Sequence, residues 1–251
     1  MLMGVWNKLI EICGNIIKYI TSRVDWPIII ALIAAVIFAV VVRLIVSITL
    51  GRHTGSKCES GKTGAEVARE ILDRHGLEKV RIKWTFGRYN DRYIPRRKLI
   101  KLSRRVYFGR SVTAVAVAAH ECGHAIQHSE RYFPLKFRSV LVPIVNIFSK
   151  FSTFAIFIGC LIAIFTFVGK YVILAGLILF GFSTLFHLVT LPCEVNASKR
   201  AMVELRTFER YTDAELNGAT RVLRAAAMTY ISALALSVIQ LVRLVRIFGR
   251  Y

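Results

Sequence analysis

The sequence predicts a mainly α integral membrane protein of about four transmembrane helices, with a small α+β module between the first and second. Three observations point there. Hydrophobic residues make up 55% of the chain and its mean hydropathy is +0.53, too apolar for ordinary soluble usage. The apolar residues gather in uncharged runs of membrane-spanning length. Between the first two runs the chain turns charged and alternating, as a folded module outside the hydrocarbon would.

Each element can be justified in order. In residues 1–26, Leu2, Val5, Leu9, Cys13, Ile16, Ile17 and Ile20 recur at helical spacing opposite Asn7, Lys8, Glu11, Asn15 and Lys18. That pattern predicts an amphipathic helix lying in the membrane interface, and no small-residue cleavage site marks a signal peptide. Residues 27–50 form the first transmembrane helix, an apolar run interrupted by Arg43. Residues 51–138 are expected to form the module. Thr63-Gly64-Ala65-Glu66 has the form of a capping box, and Gly76 supplies a stop, so a helix should run from about Gly64 to His75. Val80, Ile82, Trp84 and Phe86 alternate with Arg81, Lys83 and Thr85, which predicts a half-buried strand. Lys98 to Ser103 reads as a second strand beyond the turn-rich Gly87–Pro95, giving a short β-hairpin that must pack on helices to be stable. Ser111 should begin a helix that stays uncharged from Val112 to Ala119 and is therefore buried nearly all round. Residues 139–191 hold two further transmembrane helices, residues 192–224 a cytosolic helical segment, and residues 225–251 a C-terminal transmembrane or membrane-embedded helix.

Charge sets the expected topology. The chain carries 35 Lys and Arg against 15 Asp and Glu, a net +20, and residues 52–150 hold +13 of it. Lying between membrane spans, that excess fits a cytosolic face against anionic headgroups better than a nucleic-acid surface. No nucleic acid is expected as a partner. Two crossings then return the chain to the same face after Leu191. The last segment would leave Arg243, Arg246 and Arg250 outside, against the positive-inside tendency, unless it does not fully cross. The five cysteines are odd in number, scattered and without CxxC, so reduced thiols are expected rather than a disulfide framework.

The most informative stretch is His120-Glu121-Cys122-Gly123-His124. Residues four apart share one face of a helix, so two imidazoles can meet one metal ion with Glu121 placed to take a proton from water. A catalytic zinc site uses three protein ligands and keeps a position open. His128 lies one turn further along, about 6 Å up the axis, so it should not converge on the same ion. The longer HExxHxxGxxH spacing would need histidine at 130, where Glu130 stands. Glu194 is the better third candidate. It follows the third span at the face that carries His120, and a carboxylate so close to a bilayer is expensive unless paired or bound to a metal. Cys193 is a softer alternative. Ser198, four residues on, is a candidate to orient a ligand, and Tyr93, Tyr107 and Tyr230 are candidates to stabilise an oxyanion. Gly61-Lys62-Thr63 lacks both the first glycine and the preceding strand of a phosphate-binding loop.

The strings HECGHAIQH, LVTLPCEVNAS and SGKTGAEVAREIL resemble the YugP-like family of membrane-bound neutral zinc metallopeptidases, over about Ser60 to Leu244. The resemblance implies a zincin-like catalytic module with one zinc ion on His120, His124 and Glu194, and Glu121 as the catalytic base. Asp91-Arg92-Tyr93-Ile94-Pro95 departs from the family's Asp-His-Tyr-Asp-Pro at positions 92 and 94. The expectation is therefore a zinc-dependent endopeptidase of the cell membrane, its active site facing the cytosol. Its partners would be the lipid bilayer and a polypeptide substrate, membrane proteins included. The competing expectation is a non-catalytic, metal-binding membrane scaffold or chaperone.

Overall fold

The long apolar runs fold into helices whose outward faces stay apolar. The computed structural model describes residues 25–87, 90–163 and 168–249; most of the expected interfacial helix of residues 1–26 lies outside them. Helix α1 (Trp26–Gly55) carries Pro27 in its first turn, where an absent N–H breaks no bond, and leaves Ile30, Ile37, Leu44 and Ile48 exposed. Such a surface suits lipid and not water.

The module follows. Thr63 and Glu66 form the expected capping box, Thr63 N donating to Glu66 Oε2 at 2.7 Å, and α2 (Gly64–Arg74) buries Val67, Ala68, Ile71 and Leu72 completely. Strands β1 (Arg81–Thr85), β2 (Arg92–Ile94) and β3 (Leu99–Ser103) make one sheet in the order β1-β3-β2. This corrects the expected hairpin. The two predicted strands do pair, Arg81 opposite Leu99 through Thr85 opposite Ser103, but in parallel. The chain between them reverses through β2 and a 3-10 turn at Pro95–Arg97, so the antiparallel partner of β3 is β2. β3 is central, with Ile100 and Leu102 fully buried, and β2 is an edge.

A short helix α3 (Arg104–Tyr107) leads to α4 (Val112–Ser129), capped by the Ser111 hydroxyl accepting from Ala114 N at 3.2 Å. Its start is pinned to the end of α1, Thr113 Oγ1 donating to the Leu50 carbonyl at 3.1 Å. Core side chains of α2, β3 and α4 pack together with Leu205, Val222 and Leu223 from the two last helices. α4 is therefore held on most sides before it reaches the histidines.

Helix α5 (Phe133–Ala163) contains Pro143 and is bent by 40° between Phe148 and Phe151. Helix α6 (Val168–Arg206) runs unbroken through Pro192, so the third span and the segment after it are one rod. Helix α7 (Asp213–Phe248) opens with an unforeseen capping box, Thr212 N donating to Glu215 Oε2 at 2.8 Å. By length and composition α1, α6 and α7 can cross a membrane, and α5 can as a bent fourth span. Arg246 near the end of α7 lies 3.5 Å from Asp25 at the start of α1, so the two helices run antiparallel along their length.

Candidate metal centre

Helix α4 presents His120 and His124 one turn apart, and α6 brings Glu194 to meet them. The close crossing depends on Gly123. A Cβ there would lie 2.5 Å from the Ala197 carbonyl oxygen, so any larger residue would push α6 away. With the helices in contact, His120 Nε2 lies 3.1 Å and His124 Nε2 3.5 Å from Glu194 Oε2. One donor atom from each of the three residues lies within 4.8 Å of the others. Donors around a tetrahedral zinc with bonds of about 2.0–2.1 Å are roughly 3.3 Å apart, so this set fits such an ion.

Each ligand candidate is held from behind. Ser198 Oγ lies 3.1 Å from His120 Nδ1, and His124 Nδ1 lies 3.0 Å from Gln127 Oε1. Gln127, fully buried, donates in turn to the Cys193 carbonyl at 2.8 Å and to Asn196 Oδ1 at 2.9 Å. Both imidazoles thereby aim Nε2 at the same point, the arrangement that fixes tautomer and orientation in metal-binding histidines. Glu194 is only 2% exposed, and its other oxygen, Oε1, lies 2.7 Å from Arg138 Nη1 on α5. Burial opposes a proton on His124, but hydrogen bonds to Cys193 and Glu194 outweigh it and raise its pKa to about 10.

Glu121 is buried beside these groups, and burial pushes its carboxyl upward while the two imidazoles pull it down. Its Oε2 accepts from the Tyr93 backbone N at 2.7 Å, so β2 crosses directly over the site. Asp91 fastens that strand, accepting from Ser103 N at 2.6 Å and Ser103 Oγ at 3.1 Å. The replaced positions Arg92 and Ile94 lie on the same strand and line the cavity in front of Glu121.

A family model described as "Putative neutral zinc metallopeptidase" matches residues 28–249. The chain belongs to that family. It is also 40% identical over 197 residues to the "Putative membrane protease YugP" of Bacillus subtilis (strain 168), covering 78% of this chain and 85% of that protein. No solved structure matches it.

The other candidate residues of the sequence take different places. His128 does not join the set; its Nδ1 lies 2.8 Å from the Tyr93 hydroxyl, a strut under β2. Cys193 stands behind the three residues: its carbonyl accepts from Gln127 Nε2 at 2.8 Å and its Sγ donates to Gln127 Oε1 at 3.5 Å. Cys58, Cys122 and Cys193 are free and buried. Of the three tyrosines, Tyr107 lines neither cavity beside the centre, Tyr93 lines one and Tyr230 lines both. Sequence reasoning missed Arg138 and Gln127. The buried Gln127 sits three residues after His124, a spacing that a search for second-layer partners on the same helix could have flagged.

Proposed function

We propose that this chain is a zinc-dependent membrane endopeptidase, built on a zincin-like module whose site faces the cytosol at the membrane surface. The observation that carries it is the convergence of His120, His124 and Glu194 on one point with the Glu121 carboxyl buried alongside. A structural zinc site needs no such base. His120, His124 and Glu194 would hold the ion, which when bound supplies Lewis acidity to a carbonyl and lowers the pKa of water to about 7.

The remaining work falls to the chain's own groups. Glu121 takes a proton from the attacking water on its carboxylate and later gives it to the departing amine. Its burial makes it a stronger base than an exposed glutamate, and the Tyr93 N–H at 2.7 Å orients it. Arg138 holds Glu194 Oε1 so that Oε2 stays turned toward the histidines. An extended polypeptide would lie beside the outer edge of β2, along the cavity of about 510 Å³ in front of Glu121. Tyr230 is the best placed of the tyrosines to meet an oxyanion.

The cytosolic assignment rests on the +13 carried by residues 52–150. Arg246 then lies on the far side, where Asp25 offsets its charge. The test compares casein cleavage by detergent-purified wild type and Glu121→Gln, with zinc measured on both. Cleavage by wild type alone, at equal zinc, is expected. Equal cleavage by both proteins would remove Glu121 as the base, and bound zinc without any cleavage would favour the scaffold reading.

A further inference from the structure

Arg43 is the one charged residue between Trp26 and Leu50, in a helix otherwise suited to lipid. A charge at that depth is expensive unless it faces a protein interior or a wet cavity. Here it faces a cavity. Arg43, Val46, Ser47 and Leu50 form one stripe of α1 that lines a space of about 530 Å³, whose other walls include Tyr230 of α7. His120, Glu121 and Glu194 also line it, so this space on the α1–α7 side shares the centre with the cavity lined by β2 and α5.

Among the described residues no carboxylate is paired with Arg43. Glu194 is already held by Arg138, and Asp91 by Ser103. Leu50, whose carbonyl touches α4 at Thr113, is about 10 Å further along α1, so Arg43 stands well inside the apolar run. Ser47, one turn away, turns to the same space, and so does Thr229 of α7. The polar groups of two apolar helices are therefore gathered where a polypeptide leaving the centre would pass.

We propose that Arg43 is the anchor of an anion subsite on the α1–α7 side of the centre, which takes a carboxylate of the bound polypeptide. That carboxylate is either an acidic side chain at a fixed distance from the scissile bond or the C-terminus of the chain. The subsite rests on the hydrolase reading for its place along the substrate, but not for the binding itself. Arg43 is exposed and lines a largely apolar space, and a guanidinium in such a place recognises a carboxylate by charge-assisted, often paired hydrogen bonds.

The experiment uses the full chain in phosphatidylcholine nanodiscs, loaded with zinc, as wild type, Arg43→Gln, Arg43→Glu and Arg43→Lys. Casein fragments are mapped by mass spectrometry. Bonds cut by wild type should carry Asp or Glu at one fixed position, and Arg43→Lys should keep that preference. Arg43→Gln should lower cleavage at those bonds by about tenfold, the worth of one charge-assisted contact. Arg43→Glu should shift the preference to Lys or Arg. Loss of cleavage on C-terminal amidation, with internal acids irrelevant, would identify the terminal carboxylate as the group bound.

A second arm needs no turnover. Tryptic casein peptides are passed over immobilised Glu121→Gln protein with and without Arg43→Glu. Acid-bearing peptides should be retained about tenfold better when Arg43 is present. Equal retention overturns the subsite, as does an unchanged cleavage pattern in Arg43→Glu at full zinc content. The cleavage assay is repeated in nanodiscs containing phosphatidylserine; an effect of Arg43→Gln that follows the anionic lipid instead of peptide charge would also overturn the subsite. If retention depends on Arg43 while no protein cleaves casein, the subsite stands and the hydrolase reading falls.

Discussion

Two carboxylates on α6, ten residues apart, meet histidines in different ways. Glu194 faces His120 and His124 at 3.1 and 3.5 Å, and each imidazole is held from behind by a polar side chain. Glu204 faces one histidine, His75, at 2.9 Å, with Arg74 3.8 Å away and also bonded to Thr207. The second cluster fastens the end of α2 to α6 and borders neither cavity at the centre. His-carboxylate contact alone therefore says little. A metal centre needs several lone pairs aimed at one point, donors fixed by a second layer, and open space for a reacting molecule.

Changes at the two clusters should separate them, beginning with the largest effect. Gly123→Ala should part α4 from α6, because its Cβ would meet the Ala197 carbonyl at 2.5 Å. The strain is about 1–3 kcal/mol, and both thermal stability and zinc retention should fall. Retained zinc at wild-type affinity would show that the close crossing is not needed. Ser198→Ala removes the partner of His120 Nδ1 and should weaken zinc binding by about 10–100-fold, measured by chelator competition. An unchanged affinity would assign the serine to packing alone.

Acidity offers a third comparison. In the metal-free protein the His124 pKa stands at about 10, above its ordinary value of 6.5. Its contribution to stability is full below 6.5 and is lost as pH rises from there through about 10. Zinc must displace that proton, so loading at pH 7 to 9 should release a proton and strengthen with rising pH. Calorimetry in buffers of different ionisation heat reads the release; none at pH 8 would mean that His124 is already neutral. Smallest is Glu204→Gln, which keeps a hydrogen-bonding amide against His75 and should lower stability by about 1 kcal/mol while leaving zinc content unchanged.

Much of this was legible in the chain because it is local. Uncharged runs, the capping box at Thr63 and Glu66, and the i, i+4 histidines all depend on neighbours in sequence. Glu194 was reachable by a solvent argument, since a carboxylate beside a bilayer must have a partner. What escaped depends on contacts between distant segments. β2 is three residues long, ends at a proline and shows no clear alternation, so its role as the antiparallel partner of β3 could not be read. Without it the two visible strands looked like a hairpin. Arg138 is one of 35 cations, and nothing around it in sequence marks Glu194 as its partner. The third span was expected to end at residue 191, yet α6 continues through Pro192, which keeps Glu194 in register with the α4 histidines.

The most direct measurement is zinc per chain, by elemental analysis after dialysis against trace zinc, for wild type, Glu194→Ala and Glu204→Ala prepared in parallel. One zinc in wild type and in Glu204→Ala, with none in Glu194→Ala, is the expected result. Zinc kept by Glu194→Ala, or lost equally from both variants, would contradict a metal centre on His120, His124 and Glu194.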